Sequence, residues 1–330
     1  MMYKILVVGG GSIGERHVRC ILSTKRAEVS LCEVDSKLLQ EVAARYSLPE
    51  TFADFETVDL SRFDGVVICT PANLHIQMCR KVITAGVNLF CEKPLTVRDE
   101  GAQELLQEIK QASVVAGVGF TWRYMAWADE MHRQFKKGNI GKLKQICIRV
   151  GQHFPHFRPA YKNTYYMRNE TGGGAILDGI SHLVSLAQMF AGKVNSVWAT
   201  YGNSGLLGVE VEDTVDALLL FAEGGRGNIH TNAWQLPGEV EIVLMGTKGS
   251  LRYSKERKAV GLCSEINGAW QETIIGGERD DNYVAEANNF LDAIAGSETV
   301  RCSVEEAYHT NKVCWAIRES FDRGRRIDIA

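Results

Sequence analysis

An apolar run, Ile5-Leu6-Val7-Val8, ends in Gly9-Gly10-Gly11-Ser12-Ile13-Gly14, and an amphipathic stretch then continues to Ser23. A strand that turns through glycines into a helix has a parallel, alternating architecture as its natural setting. At this spacing Gly9 permits the tight turn, Gly11 lets another group approach the backbone, and Gly14 lets the helix lie close on the strand. The free N–H groups and positive dipole end of the helix start then suit a phosphate. Glycine-rich turns also serve plain chain reversal, so the surroundings decide. A second apolar strand ends about twenty positions later at Glu33, where a carboxylate accepts both hydroxyls of an adenosine ribose. That carboxylate repels a 2′-phosphate, and Val34 brings no cation to offset it. The pattern predicts NAD in preference to NADP, held by Gly9, Gly11, Ser12, Ile13, Gly14 and Glu33, with a solvated strand end as the plain alternative for Glu33.

The alternation continues, with strands predicted over 4–8, 28–33, 65–69, 88–91 and 113–118 and helices over 13–23, 36–46, 74–84 and 98–111. This is an N-terminal Rossmann domain, a doubly wound parallel sheet, over residues 1–121. After about Thr121 the rhythm changes to longer, glycine-punctuated strands over 215–221, 226–233, 240–245 and 250–253. These predict a C-terminal α+β domain, residues 122–330, with a large open, mostly antiparallel sheet. A chain of 330 residues is too long for one core, which agrees with two domains.

The formal net charge of -3 offers no cationic field, so nucleic acid is excluded as a partner. Nine scattered cysteines without a C-x-x-C pair read as reduced thiols and predict no metal site. No leader pattern is visible at the start, and no uninterrupted run reaches the ~18–20 apolar residues of a bilayer span. A soluble, cytoplasmic protein is therefore expected, with no membrane partner.

Two further segments, Cys69-Thr70-Pro71-Ala72-Asn73-Leu74-His75 and Cys91-Glu92-Lys93-Pro94, together with the glycine turn, resemble the Gfo/Idh/MocA oxidoreductase family, which includes glucose–fructose oxidoreductase and inositol dehydrogenases. The resemblance continues through Gly119-Phe120-Thr121-Trp122-Arg123-Tyr124 and Gly172–His182 to Gly324-Arg325-Arg326-Ile327, so it covers essentially the whole chain. It implies that Cys69, Thr70, Pro71, Asn73, His75, Glu92 and Lys93 sit beside the nicotinamide. It also implies a cis Lys93–Pro94 bond, and homodimers or homotetramers built through the open sheet. Independently, ligands of doubly wound sheets bind outside the carboxyl ends of the strands, where Thr70 and Lys93 emerge. A lysine assists proton transfer when desolvation and a neighbouring cation lower its pKa. The plain alternative is a surface lysine that ends a strand.

Between Gly172 and Gly192 three glycines lead into an apolar-periodic helix. At about 100° per residue, Asp178, His182, Ser185 and Met189 share one stripe, and Ile180, Leu183, Val184, Ala187 and Phe190 occupy the other side. The resemblance makes His182 a general acid/base, with Lys93 polarising the substrate oxygen and Asp178 orienting the substrate. Either His182 or Lys93 can take the proton first. An Asp/His pair four residues apart is also an ordinary helix-surface contact. Ser185 departs from the family, where an acidic residue often stands.

The aromatic stretch 153–161, followed by Tyr165, Tyr166 and Arg168, combines rings with donors. With Arg123 it nominates Arg158, Tyr161 and Tyr165 as substrate contacts, against ordinary packing between domains. The whole predicts hydride transfer between NAD and a secondary hydroxyl of a sugar, cyclitol or sugar derivative. The rivals are a redox-neutral, NAD-dependent glycoside-cleaving enzyme and a non-catalytic dinucleotide-sensing regulator.

Overall fold

The computed structural model describes residues 2–329, apart from the side chains of Asn163 and Tyr165. The chain divides into two compact units. The first runs through Tyr124 and includes Arg279–Tyr308, and the second comprises Met125–Glu278 and the residues from His309 onward. The change of rhythm places one break after residue 121, whereas the chain comes back to the first unit late in the sequence.

In the first unit β1 (Tyr3–Val8), α1 (Ser12–Ser23), β2 (Ala27–Cys32), α2 (Ser36–Tyr46), β3 (Thr51–Phe52), β4 (Gly65–Ile68), α3 (His75–Thr84), β5 (Asn88–Glu92), α4 (Ala102–Gln111) and β6 (Ala116–Gly119) follow in order. Among the described residues these strands form one sheet, ordered β3-β2-β1-β4-β5-β6, with every pair parallel. The expectation of a doubly wound sheet holds. Every residue of β4 is buried, as in parallel sheets covered on both faces. Gly101 has φ +76°, so α4 starts after it rather than at Arg98.

The second unit contains α5 (Ala126–Lys136), β7 (Leu143–His153), the short α6 (Phe154–Phe157), α7 (Ser181–Ala191), β8 (Val194–Gly202), β9 (Thr214–Phe221), β10 (Arg226–Asn232), β11 (Trp234–Gly246), β12 (Ser250–Ser254), β13 (Ala259–Cys263) and β14 (Gln271–Ile274). With β15 (Ile327–Asp328) they make an open sheet in the order β14-β13-β12-β11-β7-β10-β9-β8-β15. Its pairs are antiparallel except β7 with β10. β9 alternates Val215, Ala217, Leu219 and Phe221 inward with Asp216, Leu218 and Leu220 outward. α7 packs on β7 and β10, and its Leu183, Val184, Leu186 and Ala187 are buried. The stretch Asn169–Ala191 is long and apolar enough to cross a membrane, which a count of uninterrupted apolar residues overlooks. Because 72% of its apolar window is buried inside the fold, its hydropathy is that of a core helix.

Two further helices, α8 (Asp281–Ile294) and α9 (Val304–Arg323), precede β15, and the division between units falls within α9. α8 explains the return to the first unit. Its Ala287, Phe290 and Leu291 join Ile5, Val18, Val29 and Phe90 in one buried cluster. A Cβ on Gly65 would stand 3.0 Å from the Phe290 ring, so the start of β4 leaves room for this helix.

Candidate active site

Sheet register carries the carboxyl ends of four strands into one line, with Cys32 opposite Val8, Val8 opposite Ile68, and Ile68 opposite Cys91. Glu33, Gly9, Cys69 and Glu92 come next in each strand's path, so the predicted cofactor residues leave the sheet along one edge. Strand order reverses between β1 and β4, and the crevice of such sheets opens at that reversal.

Backbone contact dictates two of the glycines. Gly9 has φ +96°, and a Cβ there would stand 2.8 Å from the Cys69 carbonyl oxygen. A Cβ on Gly14 would stand 1.8 Å from the Gly9 carbonyl oxygen. Gly11 is different, since a Cβ there would meet nothing within 4 Å among the described residues. It precedes α1 without a side-chain hydrogen bond to the helix start, and both it and Ser12 are exposed. An open, positive helix end beside an unobstructed backbone fits a pyrophosphate. Glu33 borders this turn, with Oε2 accepting the Gly10 N–H at 2.6 Å and Oε1 accepting the Asp35 N–H at 2.9 Å. An ionised carboxylate has about four lone-pair sites, which leaves acceptor capacity for ribose hydroxyls.

The turn after β4 and the Lys93 turn are braced together by His75. This buried ring has Nδ1 3.0 Å from the Pro94 carbonyl oxygen and Nε2 2.8 Å from the Thr70 carbonyl oxygen. Burial depresses its pKa, and those carbonyls oppose the shift. With a backbone carbonyl beside each ring nitrogen, His75 ties the two turns together. Burial also pushes the Cys69 thiol well above its ordinary range, which suits a packing role. Thr70 is half-buried, its hydroxyl donating to Met78 Sδ at 3.3 Å, while Pro71 and Asn73 are exposed. Lys93 is half-buried and its bond to Pro94 is cis. Glu92 turns inward, with Oε2 accepting the Lys93 N–H at 3.0 Å and Oε1 2.7 Å from His17 Nε2. The resemblance sets Glu92 beside the nicotinamide, and here its two oxygens meet the Lys93 N–H and His17 of α1.

In the second unit Gly174 has φ +86°, and a Cβ there would stand 2.6 Å from Glu212 Oε1. That carboxylate accepts the Ile176 N–H at 3.1 Å, the Glu212 carbonyl accepts the Ala175 N–H at 2.8 Å, and Arg318 pairs with Glu212 at 3.0 Å. Ala175–Ile180 then forms a wide turn of π-helical type before α7, a feature that recurs at functional sites. A wheel drawn at 100° per residue does not apply through it. Of the residues expected on one stripe, Asp178, His182 and Met189 are half-buried, whereas Ser185 is fully buried within α7. Burial raises the pKa of Tyr166, and the Asp178 carboxylate acts in the same direction.

The predicted substrate contacts fare unevenly. Arg123 is 1% exposed, donating to the Arg301 carbonyl at 2.5 Å and pairing with Glu306 at 3.0 Å, so it braces the first unit. Tyr161 is buried in a cluster with Phe154, Tyr166 and Leu207, and its hydroxyl donates to the Leu207 carbonyl at 2.5 Å. Arg158 is exposed. The Tyr165 side chain lies outside the described residues.

Comparison with known proteins gives the same reading for both halves. Residues 3–120 match the oxidoreductase family with an NAD-binding Rossmann fold, and residues 129–252 match the GFO/IDH/MocA C-terminal domain. The chain belongs to the Gfo/Idh/MocA family. Levoglucosan dehydrogenase of Pseudarthrobacter phenanthrenivorans is 22% identical, over 98% of this chain and 97% of that protein. Myo-inositol 2-dehydrogenase of Thermotoga maritima is 23% identical, over 99% of this chain and 98% of its own length. The solved structure of a levoglucosan dehydrogenase in complex with NADH and levoglucosan superposes with a TM-score of 0.90, at 20% identity over 100% of both chains. That likeness is one of fold.

Sequence reasoning missed three residues of this Gfo/Idh/MocA chain. His17 follows Gly14 by three positions, on the apolar face of α1 with Val18 and Ile21, where a buried histidine needs a partner. Its partner Glu92 comes from β5. Glu286 hides among apolar neighbours on α8, and Glu212 lies in a loop ahead of β9, so neither carried a local signal.

Proposed function

We propose that this Gfo/Idh/MocA oxidoreductase transfers hydride between NAD and a secondary hydroxyl of a sugar, cyclitol or sugar derivative. One observation carries the reading: the half-buried Lys93 leaves the sheet at the same edge as the open N-terminal end of α1. Gly11 and that helix end would take the pyrophosphate, and Glu33 the adenosine ribose. Glu33, with the exposed Val34 after it, favours NAD over NADP. When bound, the nicotinamide supplies the acceptor or donor of hydride. Lys93 would hydrogen-bond the reacting oxygen and stabilise negative charge there. Asp178 would orient the substrate, and His182 would hold the proton that leaves the hydroxyl as the carbonyl forms, returning it in the reverse direction.

The relatives named for levoglucosan and myo-inositol support a cyclic polyol as the substrate class. Trp198, Leu218 and Leu220 stand exposed on the outer face of the open sheet, with Trp198 opposite Leu218, and fit a homodimer or homotetramer assembled there. Nine free cysteines fit a reducing compartment such as the cytoplasm.

The test is NADH formation with a panel of sugars, cyclitols and nucleotide sugars, run on wild type and Lys93→Ala. At least one substrate is expected to turn over, and the variant to lose about 10²–10⁴ in kcat while NADH binding, read by fluorescence, persists. Full turnover by Lys93→Ala would sink the proposed chemistry.

A further inference from the structure

Beneath the Lys93 turn the first unit buries three ionisable side chains together: His17 on α1, Glu92 at the end of β5 and Glu286 on α8, at 3%, 6% and 1% exposure. One ligand-type atom of each lies within 4.8 Å of the others. Their situations differ. Glu92 meets His17 Nε2 at 2.7 Å and accepts the Lys93 N–H at 3.0 Å, whereas neither Glu286 oxygen has a hydrogen-bond partner among the described residues. The other ionisable groups around Glu286 are Cys20 of α1, Cys69 after β4, Tyr124, and Tyr283 of α8, over whose ring the Arg16 guanidinium lies at 5.0 Å.

Two carboxylates buried in one site cannot both ionise without a large cost, and the charge settles where hydrogen bonds stabilise it. We propose that Glu286 is a neutral carboxylic acid, that the cluster holds a single anion on Glu92, and that this anion is the positioning residue of the Lys93 turn. Burial, reinforced by Glu92, holds the Glu286 carboxyl well above the usual carboxylate range, in the same direction. The positioning role rests on the hydride-transfer reading, whereas the protonation of Glu286 does not.

A carboxyl whose pKa rises on folding stabilises fully below its unfolded value, and that contribution is lost as pH climbs toward the folded value. Glu286→Gln removes the loss and preserves the shape. The melting temperature of Glu286→Gln minus that of wild type is therefore expected to grow by about 4 °C or more between about pH 5 and pH 8. A flat or falling difference overturns the neutral acid. So does Zn²⁺ or Mn²⁺ retained one-to-one through dialysis by wild type and released by Glu286→Gln, because the cluster would then be a metal site with Glu286 ionised. For Glu92, Glu92→Gln is expected to lower kcat about 10- to 100-fold with the KM for NAD within about threefold. Full turnover, or loss confined to KM, overturns the positioning role. The melting curves need no substrate, so a wild type inactive on every sugar would defeat the proposed reaction without deciding the state of Glu286.

Discussion

Two glycine runs in this chain each lead into a helix, and their helix starts have opposite fates. After Gly9-Gly10-Gly11 the start of α1 has no side-chain cap, and the space over Gly11 is open. After Gly172-Gly173-Gly174 a carboxylate of the protein occupies the corresponding place: Glu212 sits against Gly174, accepts the Ile176 N–H and is backed by Arg318. One helix end keeps its unpaired N–H groups and positive dipole for an incoming anion, and the other has both neutralised from within. A glycine run ahead of a helix thus announces that something approaches the backbone closely. Whether that something is a ligand or a side chain depends on the tertiary neighbour.

The largest effect should come from Gly14→Ala, whose Cβ would fall 1.8 Å from the Gly9 carbonyl oxygen and 3.4 Å from the Cys69 Cβ. A loss of ~3 kcal/mol in urea unfolding, or failure to recover folded protein, is expected. A midpoint like that of wild type would show that this helix does not depend on close approach to the turn. Next, Glu212→Gln and Gly11→Ala set the two helix starts against each other. Removing the Glu212 charge should cost roughly 1–2 kcal/mol of stability and leave NADH affinity alone. Gly11→Ala should move stability by only ~0.5 kcal/mol while the NADH dissociation constant rises about tenfold. The opposite pattern in urea titration and fluorescence binding would break the contrast. The smallest effect is expected for Glu33→Ala, where the ratio of NAD to NADP affinity should fall about fivefold. An unchanged ratio would free Glu33 from any part in cofactor choice.

Legibility followed the range of the interactions. β1, α1 and α2 could be read almost to the residue, because continuous apolar strands and fixed glycine offsets report contacts a few positions apart. The edge strand β3 has only two residues and gives no period to read. Arg123 looks like a substrate contact until Glu306 appears beside it, 183 residues further on. Tyr161 looks like a wall of the substrate site until its hydroxyl is found on Leu207. α8 buries Asn282, Glu286 and Asn289 together with its apolar residues, so an apolar pattern alone does not mark its buried face. The wide turn at Ala175–Ile180 escaped because helical periodicity assumes one pitch throughout.

By itself the sequence determined the strand–turn–helix units, the parallel sheet of the first unit, the glycines that must be glycine, and the family through motifs spread along the chain. These rest on backbone sterics and side-chain periods that act over a few residues. Only the tertiary structure decided which polar residues turn inward: Glu92 onto His17, His75 between two carbonyls, Arg123 onto Glu306, and Glu212 against Gly174. Burying a polar side chain is costly without a partner, and for these residues the partner comes from another turn, strand or helix, a meeting that exists only in three dimensions.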